Sequence, residues 1–177
     1  AKAAISAYAW FFRGLPVLVL LFLFYFGIFP AMGLDLPAFF VGAVVLGLRG
    51  AAYQSQIFRG AIQSIGESQM TAGRAIGLSR WKTIWYVILP QALRLVIPAW
   101  SNEPISLLKT TAVVFLIAVQ DLMAKAKRAA TDTYDPISSY IAVAVVYLVM
   151  VFILNEFIKF LERKSRIPGF EMESKKP

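Results

Sequence analysis

Apolar and polar residues along this 177-residue chain fall into long blocks, not into short alternations. A helix needs about 20 mainly apolar residues to cross a hydrocarbon core of about 30 Å, and four blocks of that order lie between charges and turn residues. The first centres on Leu15 to Phe29, preceded by Trp10, Phe11, Phe12 and Arg13 as an interfacial anchor and closed by Pro30. The second starts near Leu36 and Pro37 and runs past Arg49 to Ile57, before Arg59 and Gly60 mark an interface. The third follows Pro90 and reaches about Val119, interrupted by Pro98 and Pro104; the fourth is Ile137 to Phe160, uncharged from Ile141 to Leu154. The pattern predicts an all-α, polytopic transmembrane helix bundle with four spans, forming one domain over residues 1–177.

Composition agrees: 59% of residues are hydrophobic and 16% charged, against roughly 45–50% and about 25% in soluble domains. Cysteine and histidine are absent, which excludes disulfides, thiol nucleophiles, the usual zinc sites and the commonest general base. The net charge of +8 comes from basic residues beside the apolar runs. There they anchor topology and meet anionic lipid, so nucleic acid is not the expected partner. Trp10, Trp81, Trp85 and Trp100 suit the bilayer interfaces in the same way. The stretch after Ala1 lacks the pattern of a cleaved signal peptide.

Orientation follows from where Lys and Arg fall. The loop from Pro30 to Pro37 holds Asp35 and no basic residue, so it faces outside. Arg59, Arg74, Arg80 and Lys82 place the stretch between spans two and three in the cytoplasm. Arg163, Lys164, Arg166, Lys175 and Lys176 do the same for the C-terminus, which leaves Asp121 to Asp135 outside.

The polar stretch 64–90 reads as two short helices. Glu67 to Ile76 forms the first, Gly77 ends it in a left-handed turn, and Ser79 caps the second, with Lys82 where a capping box would have Glu. Ala72, Gly73 and Ala75 are small enough for close approach by a partner, and Arg74, Arg80 and Lys82 frame the contact with charge. The alternative is a solvated connector.

This stretch resembles the EAA loop of ABC importer permeases: Glu-Ala-Ala, three residues, Gly, nine residues, Ile, one residue, Leu-Pro. The chain matches at Ala72, Gly77, Leu89 and Pro90, with Val87 at the Ile position, and departs at Thr71 and Gly73. Phe12-Arg13-Gly14-Leu15-Pro16, Tyr25-Phe26-Gly27, Arg59-Gly60-Ala61-Ile62 and Leu107-Leu-Lys109-Thr-Thr111 resemble the polar amino-acid branch of that family. The resemblance implies five helices per subunit, the first of them before Ala1. It also implies a dimer of permeases, a binding protein outside, and a loop inserted into the groove of a cytoplasmic ATP-binding subunit through Thr71, Ala72, Gly73, Arg74, Ala75, Gly77 and Leu78. Thr71 in place of Glu removes the acidic tether. Gly73 costs about 1 kcal/mol of helix propensity relative to Ala, so looser coupling is expected. Glu is frequent in the family where Gln56 stands, so a cation-selecting charge is missing there.

Charged residues within a span are functional suspects. By a rise of about 1.5 Å per residue, Arg49 lies roughly 18 Å inward from Pro37 and Glu103 roughly 20 Å outward from Pro90. A guanidinium matches the carboxylate of an amino acid and a carboxylate suits its ammonium, so the two form either a substrate cradle or a charge-neutralising pair. Gln56, Asn102 and Lys109 add polar groups to the path. Pro98 and Pro104 free backbone carbonyls that must face protein or water.

No Gly-rich Lys-Ser/Thr phosphate loop is present. The chain is therefore expected to be no enzyme and to carry no cofactor, with ATP and Mg²⁺ on the partner. The reading is the permease subunit of an ATP-driven importer of polar amino acids or related zwitterions in the inner membrane. The competing readings are a stand-alone ion-coupled carrier or channel, and a membrane anchor without transport.

Overall fold

The computed structural model describes residues 2–165, and every ordered element among them is helical. Two helices are long and apolar enough to cross a membrane, and four spans result if each of two bent helix pairs counts as one.

Helix α1 (Lys2–Gly14) meets α2 (Val17–Phe22) at a bend of 110° across Leu15 and Pro16. The residues expected to be only an interfacial anchor are thus part of a packed helix. The Tyr8 hydroxyl donates to the Leu48 carbonyl at 2.5 Å, and Phe12 is buried with its ring centroid 5.8 Å from that of Phe24. Trp10 and Arg13 of the set are exposed, as an anchor would be.

The chain continues through a π-helical turn, Leu23–Ile28, into α3 (Phe29–Ala31). A second π turn, Ile84–Ile88, joins α5 (Arg80–Thr83) to α6 (Leu89–Trp100). Both end just before a proline, Pro30 or Pro90. Proline has no N–H and crowds the carbonyl four residues back, here that of Phe26 or Tyr86, each inside the π turn. Widening the turn moves that carbonyl aside and keeps the rod continuous.

Helix α4 (Ala38–Ala75) runs 38 residues without a break. At about 1.5 Å per residue it is about 57 Å long, nearly twice the hydrocarbon core. The interface marked by Arg59 and Gly60 does not interrupt it. Span two and the first short helix expected at Glu67 to Ile76 are one rod.

α6 leads through Ser101 into α7 (Asn102–Thr111) with a bend of 48°. The break falls between Pro98 and Pro104, which withhold donors from the Arg94 and Trp100 carbonyls. A 3₁₀ turn, Val114–Ile117, ends at Ala118 with φ of 68°. The segment from Asp121 to Asp135, expected to lie outside, contains α8 (Leu122–Thr133), capped by Asp121, whose carboxylate accepts from the Ala124 N–H at 2.8 Å. α9 (Pro136–Ser165) begins at a similar cap, where Asp135 accepts from the Ser138 N–H at 3.1 Å. Of the basic tail, Arg166, Lys175 and Lys176 lie outside the described residues.

Two apolar clusters hold these elements. In the first, Phe12, Leu20, Leu21 and Phe24 meet Val41, Val45 and Leu46 of α4 and Val114 and Ile117 of the 3₁₀ turn. In the second, Ile65 of α4 meets Ile88 and Ala92, flanked by Met70, Ile84 and Leu95. The later half of α4 therefore packs along α5 and α6. α9 is almost wholly uncovered by the rest of the chain, with Ile141, Val145, Leu148, Phe152 and Ile153 exposed, a surface suited to lipid or to another membrane subunit.

Candidate functional site

The end of α4 and α5 form a tight helical hairpin. The turn follows from one glycine. Gly77 has φ of 78°, a left-handed conformation that costs other residues roughly 1–2 kcal/mol. It lets the Leu78 N–H donate to the Gly73 carbonyl at 2.9 Å and the Gly77 N–H to the Arg74 carbonyl at 3.0 Å. This is the Schellman arrangement that satisfies the last carbonyls of a helix. Ser79 then caps α5, its Oγ accepting from the Lys82 N–H at 3.5 Å. The left-handed turn and the serine cap expected from the sequence are both present.

The structure brings the proposed docking residues together at this tip. Thr71, Ala72, Arg74, Ala75 and Gly77 are exposed and Leu78 is half-buried. Exposed apolar side chains accompany them, with Ile76 at 76% and Trp81 at 71% exposure. Gly73 differs from its neighbours, since it is buried against Thr83 and is not a loose point in a short helix. The Thr71 hydroxyl donates to the Glu67 carbonyl at 3.0 Å. Glu67, exposed one turn earlier, supplies a carboxylate on the same face of α4, which sequence matching aligned on position 71 passes over.

Within the bundle, Arg49, Tyr53 and Gln56 occupy one face of α4 by their spacing of four and seven residues. The Arg49 guanidinium lies 4.6 Å from the centre of the Tyr53 ring, and Arg13 of α1 lies 5.3 Å from the same centre. Two cations thus share one aromatic ring. Arg49 Nε is buried and has no hydrogen-bond partner. Gln56 Nε2 donates to Ser55 Oγ at 3.4 Å.

Glu103 is half-buried in the first turn of α7, while Asn102 and Lys109 are exposed. Arg49 and Glu103 form no ion pair. The pair found among the described residues is Lys159–Glu156 at 2.8 Å on α9, which accounts for Glu156 as a surface group. The break in the third span carries a polar tie that sequence reasoning missed. Ser101 is buried, its hydroxyl bonded to the Ile97 carbonyl at 2.8 Å and to Glu162 of α9. A carboxylate 61 residues away gives no periodic signal by which to find it.

The chain matches, over residues 1–167, the family model described as binding-protein-dependent transport system inner membrane component. It is 35% identical over 175 residues to the octopine transport system permease protein OccQ of Rhizobium meliloti, covering 93% of this chain and 74% of that protein. It is 35% identical over 159 residues to the probable glutamine ABC transporter permease protein GlnM of Bacillus subtilis, covering 90% and 73%. Among solved structures, that of an amino acid ABC transporter with histidines superposes with a TM-score of 0.83 at 35% identity, covering 90% of this chain and 74% of that one. The methionine transporter MetNI, at 20% identity and a TM-score of 0.72 over 92% and 74%, shares the fold. The chain belongs to the family of binding-protein-dependent transport system inner membrane components, the permease subunits of ABC importers.

Proposed function

We propose that this permease carries polar amino acids or related zwitterions, opines included, by alternating access driven from a separate ATPase. It works with a cytoplasmic ATP-binding subunit carrying ATP and Mg²⁺, an extracellular binding protein and a second permease copy, identical or different. The observation that supports this best is the exposed tip of an unbroken α4. A rod of about 57 Å that ends in a rigid turn with exposed small and apolar residues is suited to carry a partner's movement into the bundle. The tip and the C-terminus then lie in the cytoplasm. Thr71, Ala72, Gly73, Arg74, Ala75, Gly77 and Leu78 form the docking segment, and Glu67 supplies an acidic group beside them.

Relatives named for octopine and glutamine transport point to the substrate class. Arg49, whose Nε has no hydrogen-bond partner in the bundle, receives the carboxylate, and Glu103 receives the ammonium. Gln56, Asn102 and Lys109 line the path. In vesicles containing this chain, its ATPase and its binding protein, uptake of labelled glutamine or octopine should require ATP. Uptake without ATP would instead identify a stand-alone carrier or channel. Arg49→Gln and Glu103→Gln each remove a charge-assisted hydrogen bond of about 1.5–3 kcal/mol, so apparent substrate affinity should fall roughly 10- to 100-fold. Unchanged affinity in both would reject the cradle.

A further inference from the structure

Among the exposed residues at the end of α4, Gly73 is buried, and among the exposed residues of α5, Thr83 has 0% exposure. These two face each other. A Cβ built on Gly73 would lie 2.5 Å from Thr83 Cγ2, 2.6 Å from its Oγ1 and 3.1 Å from its Cβ, well inside van der Waals contact, so the α4 backbone rests directly on the threonine side chain. Thr83 is held in turn, because its Oγ1 donates to the Ser79 carbonyl at 3.1 Å and its β-branching restricts χ1. The Gly73 carbonyl closes the turn by accepting from the Leu78 N–H. One residue therefore makes the turn's longest-range hydrogen bond and sits where no side chain fits between its two arms.

We infer that Gly73 and Thr83 are a positioning pair which fixes the angle between the end of α4 and α5, and thereby how much of the ATPase's movement reaches the third span. The inference rests on the hairpin being the ATPase contact. It also accounts for the departure from the Glu-Ala-Ala pattern: the branched side chain of Thr83 fills the space that a second alanine methyl would take. Gly73 tightens the hairpin, the reverse of what helix propensity alone implies.

The test uses the assembled transporter with nitroxide labels at the exposed positions Gln63 and Tyr86, and three variants: Gly73→Ala, Thr83→Ala, and both together. Gly73→Ala should shift or broaden the interlabel distance distribution and raise the ATP hydrolysed per substrate imported several-fold, with the ATPase still copurifying. Adding Thr83→Ala, which removes both of the closest atoms, should return the distances and the ratio toward the parent. Parent-like distances in Gly73→Ala, or a double variant no better than the single one, would overturn the inference. So would shifted distances with an unchanged ratio. If Gly73→Ala were only less stable, transport and hydrolysis would fall together at a constant ratio, and this also counts against it. The docking assignment fails by a different sign: the ATPase would remain bound to a Gly77→Val variant, whatever the labels report.

Discussion

The two rods that meet at the Gly77 turn are built differently. α4 contains Gly47, Gly50 and Gly60 and stays continuous, whereas the rod from Arg80 to Thr111 contains Pro90, Pro98 and Pro104 and shows a π turn followed by a 48° bend. A glycine weakens a helix by about 1 kcal/mol but keeps its N–H. A proline removes a donor and crowds a carbonyl. The rods lie side by side, so proline placement accounts for the contrast better than surroundings do. One rod is suited to carry displacement and the other to absorb it.

The strongest way to break that contrast is to give α4 the defect its neighbour has. Ile62→Pro, between the apolar part of α4 and its tip, should cost about 3 kcal/mol of helix stability and reduce ATP-driven uptake below about a tenth of the parent, while substrate binding to the external binding protein is untouched. Uptake within a factor of two of the parent would mean that α4 need not be continuous. The converse change repairs the broken rod. Pro98→Ala with Pro104→Ala restores two backbone donors, and straightening a 48° bend between helices of 12 and 10 residues should lengthen the distance between labels at Leu93 and Leu116 by about 3 Å. Uptake should drop several-fold with assembly intact, and an unchanged distance would show that packing against α9, with the Ser101–Glu162 tie, sets the bend.

The smallest effect lies outside both rods, at the corner between α8 and α9. Hydrogen bonds from the Ser138 side chain and backbone hold the Asp135 carboxyl below its ordinary range. A carboxyl lowered by folding stabilises the cap above its unfolded value, about 3.9, and that contribution disappears as pH falls through the lower folded value. Hydrogen exchange at the Ser138 amide should therefore show constant protection from about pH 8 to 5 and a loss only below about pH 4. Fraying at pH 6 would contradict the assignment.

Much of this was legible in the sequence. Apolar block length marked the spans, because a bilayer imposes a minimum run. The left-handed Gly77 and the Ser79 cap were readable because turn chemistry is local. α8 was missed although Asp121 and the alanines after it are an ordinary helix start, since orientation reasoning treated the segment only as a charge count. The fusion of span two with the first hairpin helix was missed because Arg59 and Gly60 resemble an interface, and an interface does not have to end a helix.

The amino-acid sequence by itself determined the helical membrane class, the positions of the prolines that bend the third span, and the turn that reverses the chain at Gly77, since each depends on groups within a few residues of one another. Tertiary structure alone decided that Phe12 belongs to the core, that Glu162 reaches Ser101, that Arg13 and Arg49 share Tyr53, and that Gly73 is a point of contact. Those facts depend on which surfaces of distant segments approach, and close packing, unlike periodicity, leaves no mark in a single sequence.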